Sequence, residues 1–89
     1  MDGYRPETRY RLSPRVAIRP EQFGAMAYHF GNRRLTFLMS PVLVDLVNAL
    51  AEYPSATAAV RDRIRGTAAQ EAAQRALANL AEREVIDAW

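Results

Sequence analysis

The chain has 89 residues, nearly half of them hydrophobic and a quarter charged, with a formal net charge of +2. That length supports one small domain, burying only roughly 60% of the surface its unfolded chain would expose. There is no cysteine, which excludes a disulfide framework and cysteine-ligated metal or iron–sulfur sites, and the single histidine, His29, builds no zinc site unaided.

The opening stretch MDGYRPETRYRLSP carries two prolines, a glycine and three arginines with little periodicity. We expect residues 1–14 to form a flexible N-terminal arm ahead of a single domain over residues 15–89. The stretch lacks the apolar run of a secretory signal. Nowhere does the chain approach the roughly 18–20 apolar residues that span a bilayer, so a cytoplasmic protein with no membrane partner is expected.

Val16 to Arg19 is a short β-prone run closed by Pro20, with Glu21 to Phe23 as its connector. The run GAMAYHFGNRRLTFL then reads as a hairpin, Gly31-Asn32 supplying the positive backbone angles of a two-residue turn. That turn pairs Phe30 with Arg33, Tyr28 with Leu35 and Met26 with Phe37. Met26, Tyr28, Leu35 and Phe37 then share one apolar face, and Ala27, His29, Arg34 and Thr36 the other.

Ser40-Pro41 opens a first helix, serine as cap and proline at the first helical position. Leu43, Leu46, Val47 and Leu50 make its apolar stripe, and Tyr53-Pro54 ends it. Ser55 caps a second helix through about Arg65, with Ala56, Val60 and Ile64 inward and Gly66 as its stop. Thr67 and Gln70 form a capping-box pattern at a third helix, with Ala69, Ala73, Ala76, Leu77 and Leu80 inward. The order predicts an α+β fold, a three-stranded antiparallel sheet followed by three helices that cover its apolar face. In EVIDAW, Val85 and Trp89 are candidates to cover core.

Nothing in the pattern argues for catalysis. His29 has no serine or cysteine nucleophile in a recognisable motif nearby, and the acids Asp62, Glu71, Glu82, Glu84 and Asp87 fall on predicted helix exteriors or in the tail. Gly24, Gly31 and Gly66 are dispersed and make no phosphate-cradling loop. We expect no enzyme, no catalytic residue, no metal and no cofactor, and read the chain as a binding module.

Charge is uneven. Residues 1–40 hold seven arginines against three acids, a balance of +4, and residues 41–89 hold five against seven, a balance of −2. In the hairpin reading, Arg33 to Leu38 is the outer strand, and its free N–H and C=O groups form a docking edge for an extended chain. Such an edge could equally join two copies as a homodimer.

The run LSPRVAIRPEQFGAMAYHFGNRRLTFLMSPVLVDLVNAL, residues 12–50, strongly resembles the mycofactocin biosynthesis chaperones, the B component (MftB) of that system; YHFGNRRLTFL is its most specific part. The wider layout, ending in ALANLAEREVI, resembles the PqqD-like recognition elements for ribosomally made, post-translationally modified peptides. The resemblance implies a PqqD-like winged helix-turn-helix fold that binds the leader of a precursor peptide and delivers it to a radical S-adenosylmethionine maturase.

Carried over by position, the leader adds as a strand along Arg33, Arg34, Leu35, Thr36, Phe37 and Leu38, against a helix wall at Ala73, Leu77 and Leu80. The leaders of such systems look acidic, which would make Arg33 and Arg34 their charge-assisted partners and Leu38 and Leu77 apolar anchors. The alternative for the same outline is a winged helix-turn-helix DNA-binding protein. Against a nucleic-acid partner stand the two arginines and four acids of residues 67–89, a poor surface for phosphate, and the slight net charge.

Overall fold

The computed structural model describes residues 3–89. Its elements in chain order are β1 (Tyr10–Leu12), β2 (Val16–Glu21), β3 (Gly24–His29), β4 (Leu35–Leu38), α1 (Pro41–Ala49), a 3₁₀ turn (Leu50–Glu52), α2 (Ala56–Arg63), α3 (Thr67–Glu82) and β5 (Ile86–Ala88). The architecture is α+β: an antiparallel sheet in the order β2-β3-β4, followed by three helices. Beside it, β1 and β5 pair antiparallel as a two-stranded ribbon, Tyr10 opposite Ala88 and Leu12 opposite Ile86. These two strands were not anticipated, because three residues are too few to show a period.

The hairpin register is the expected one, Tyr28 opposite Leu35 and Met26 opposite Phe37. Its turn differs. The His29 N–H donates to the Arg34 carbonyl and the Arg33 N–H to the His29 carbonyl, so four residues, 30–33, make the loop. A two-residue and a four-residue loop centred on the same bond keep the same pairing, which is why the register survives. The positive φ falls on Arg33, at 61°, not on Gly31 or Asn32. Gly31 is needed for another reason: a Cβ there would lie 2.8 Å from Cε1 of His29.

The apolar hairpin face is the larger correction. Met26, Tyr28, Leu35 and Phe37 were expected beneath the helices, yet the helices cover the opposite face, where Ala25, Ala27, His29, Thr36 and Leu38 are buried. Small residues at 25 and 27 let α1 lie close, and Leu38, Leu46, Val47 and Leu50 fill the space between the layers. The parity of β2 points the same way, since Val16 and Ile18 pair with His29 and Ala27 and pack on the core.

The first two helices start as expected. Ser40 Oγ accepts from the N–H groups of Val42 and Leu43, and Ser55 Oγ from that of Ala58. The capping box of α3 does not form: Thr67 is already helical, Gly66 precedes it at φ 95°, and Gln70 instead donates its side-chain amide to the Ile64 carbonyl. Of the expected flexible arm, residues 1 and 2 lie outside the described residues, and the rest packs against the domain. Tyr10 is buried and stacks on Tyr4 at 5.2 Å, while the Ala56 and Thr57 N–H groups donate to the carbonyls of Thr8 and Pro6. At the other end Val85 and Ile86 are core residues, and Trp89 is exposed beneath the Arg9 guanidinium, 4.3 Å from its ring centroid.

Candidate functional site

β4 pairs with β3 alone, so its other edge has no strand partner. Antiparallel pairs alternate, and the bond from His29 to Arg34 fixes the phase: the pairs 27–36 and 25–38 bond inward, while Leu35 and Phe37 turn their N–H and C=O groups outward. The Leu35 carbonyl bears this out, accepting from Arg83 Nη2 at 3.1 Å. Phe37 offers both backbone groups to an incoming chain.

α3 runs alongside this edge. Near the end of β4 a cleft of about 260 Å³ is lined by Ser40, Val42 and Leu43 on one side and by Ala69, Ala72, Ala73 and Ala76 of α3 on the other, with Ile64 between. At the far end Arg83, just past α3, reaches Leu35 and Thr36. The lengths agree. From Ala72 to Arg83 a helix rises about 16 Å, and from Leu35 to Ser40 an extended chain covers about 17 Å.

The helix positions 69, 72, 76, 79 and 83 follow the 3-4-3-4 spacing of one face. Only alanines and an asparagine precede Arg83 on that face, so its wall is apolar and shallow, without acidic side chains. Glu71 and Glu82 lie well round the helix, and Glu82 lines a separate groove near Tyr4 and Tyr10. In that second groove, burial, then Tyr10 and Glu7, push the Tyr4 phenol well above its ordinary ionisation range.

The anticipated site residues divide into three groups. Arg33 and Arg34 are exposed at the hairpin end, and Leu35 and Phe37 are about half exposed, their side chains on the sheet face away from the helices. Thr36 is buried, its hydroxyl accepting from Arg83 Nε at 2.8 Å. Leu38, Leu77 and Leu80 belong to the core, at 0%, 0% and 2% exposure, and Ala73 is nearly so at 8%. As anchors Leu38 and Leu77 have no surface to present; they are core residues.

Sequence reasoning missed Arg83, Val42, Ala69 and Ala72 as site residues. The alanines had a signal, their 3-4 spacing. Arg83 had none, because its target lies nearly fifty residues away in sequence. Beyond the edge, Phe23, Tyr28, Phe30, Leu35 and Phe37 spread an exposed apolar surface over the outer sheet face, with edge-on aromatic pairs Phe23–Phe37 and Tyr28–Phe30.

The sequence profile of the Peptide chaperone MftB family matches residues 9–87. The chain belongs to that family. A peptide chaperone MftB of Mycolicibacterium smegmatis is 49% identical over 55 residues, 62% of this chain and 54% of the relative. Those of Mycobacterium tuberculosis and Mycobacterium ulcerans are 48% identical over 56 residues and 43% identical over 59, covering 63% and 66% of this chain and 51% and 54% of the relatives. The chain thus spans about half the length of the curated relatives it matches. No solved structure matches. The family is named for chaperoning rather than catalysis. Among the described residues no group of three or more His, Cys, Asp or Glu could hold a metal ion, and no helix is long and apolar enough to cross a membrane.

Proposed function

We propose that this chain is a peptide chaperone of mycofactocin biosynthesis that binds the leader of the ribosomally made precursor as an added strand on β4 and carries it to a radical S-adenosylmethionine maturase. The observation that supports this reading best is the unpaired edge of β4 lying beside an apolar, acid-free face of α3. Backbone bonds at Phe37 supply affinity, the alanine cleft takes apolar leader side chains, and Arg33 and Arg34 attract acidic ones at the hairpin end. A PqqD-like arrangement accommodates all three. The membership of the chain in a family of peptide chaperones supports the class of partner.

The test is a calorimetric titration with a synthetic peptide of the precursor leader. Saturable binding by the wild-type chain is expected. Phe37→Pro removes an outward N–H and leaves the bonds to β3 intact, so the fold should persist while affinity falls roughly tenfold against a Phe37→Ala control. Thr36→Pro, which cuts the ladder itself, should unfold the sheet. If Phe37→Pro binds as tightly as Phe37→Ala, strand addition at this edge is wrong. For the DNA alternative, random duplex at two salt concentrations is the control; steep salt-dependent binding there and none to the leader would reverse the assignment.

A further inference from the structure

Arg83 is built into the free edge. Its Nη2 donates to the Leu35 carbonyl, which faces outward from the sheet, and its Nε to the Thr36 hydroxyl. Its own carbonyl accepts from the Asn32 side-chain amide at 3.4 Å, which ties the β3–β4 loop to the end of α3. The next residue, Glu84, adopts a φ of 63°, so the chain turns sharply just beyond it. An arginine at the end of a helix has many rotamers, and two side-chain bonds to one hairpin select one of them.

Resting on the leader-binding reading, we propose that Arg83 is a positioning residue that sets the register of the bound peptide by closing the β4 edge at Leu35. A strand added to β4 makes its bonds at alternate residues: Leu35, Phe37 and, past the end of β4, Met39. The Leu35 carbonyl already has its donor, so the incoming strand pairs at Phe37 and Met39 and stops before Leu35. The guanidinium keeps N–H groups beyond those two bonds, and its planar fork suits a carboxylate. The chemistry that fits the closed end is therefore an Asp or Glu side chain of the peptide just past its last paired residue. Arg34, exposed at the same end of the hairpin, adds to the positive field there.

The test uses the full chain labelled for amide nuclear magnetic resonance and the synthetic leader peptide. In the wild-type complex the Phe37 amide should gain protection from exchange and the Leu35 amide should not. In Arg83→Ala the protection should extend to Leu35. Removing the leader residues beyond that acidic one, which would then oppose Leu35, should change wild-type affinity less than about twofold, and variant affinity by roughly fivefold. Arg83→Gln, which keeps a donor in place, is the second variant should the alanine form fail to fold, and it should hold the wild-type register. Protection at Leu35 in the wild-type complex, or an identical pattern in wild type and Arg83→Ala, overturns the proposal while leaving leader binding intact. A wild-type chain that binds no leader overturns both it and the reading beneath it.

Discussion

Gly31 sits under a histidine that folds back over its own loop. His29 Nδ1 accepts from the N–H groups of Gly31 at 2.9 Å and Asn32 at 3.1 Å, so that nitrogen carries no proton and Nε2 does. The imidazole thereby satisfies two loop donors that the sheet leaves open, which gives the buried histidine a structural role. A Cβ at residue 31 would meet that ring and the Arg15 guanidinium at 3.1 Å. Gly31→Ala should cost about 1–3 kcal/mol in thermal denaturation. Combined with His29→Ala the cost should shrink, because the clash leaves with the ring. Strict additivity of the two changes would show that the glycine answers to something else.

Among the elements, the start of α1 and one face of α3 define the cleft near the end of β4, and its depth depends on alanine. Ala72 is exposed and Ala76 only partly buried on the α3 face, so both can carry a larger side chain without disturbing the core. Ala76→Phe should leave thermal stability within about 0.5 kcal/mol, since it fills open space. It should lower leader affinity at least roughly tenfold by occupying the site of an apolar leader side chain. Calorimetry beside a melting curve checks both halves, and unchanged binding would move the leader away from α3. The wall's lack of acids matters at this scale too: Glu71 and Glu82 belong to the same helix as the alanines, but the helical period turns them away.

At the scale of the whole molecule, the termini hold the layers together. β1 pairs with β5, Tyr10 is buried against the core, and backbone bonds tie residues 6 and 8 to the start of α2. In a domain this small each such contact is a large share of the net stability. Tyr10→Ala should cost about 3 kcal/mol, lowering the melting temperature by more than about 10 °C. A loss under about 0.5 kcal/mol would restore the picture of a flexible arm. The same closure leaves the outer sheet face bare, with Phe30 and Phe37 each more than half exposed.

The sequence by itself determined the order of three strands and three helices, the two serine caps and the hairpin register, because capping, proline placement and period-two alternation act over a few residues. The same local signals located the free strand and its family resemblance. Tertiary structure alone decided which face of the sheet is buried. Met26, Tyr28, Leu35 and Phe37 form the greasier face of the hairpin, but a helix packs closest on Ala25 and Ala27, and the side chains that α1 brings fill that interface. It also decided that Leu38 and Leu77 are core rather than contact, and that Arg83 meets Leu35. Those facts depend on distances between segments far apart in the chain, and no local pattern encodes such distances.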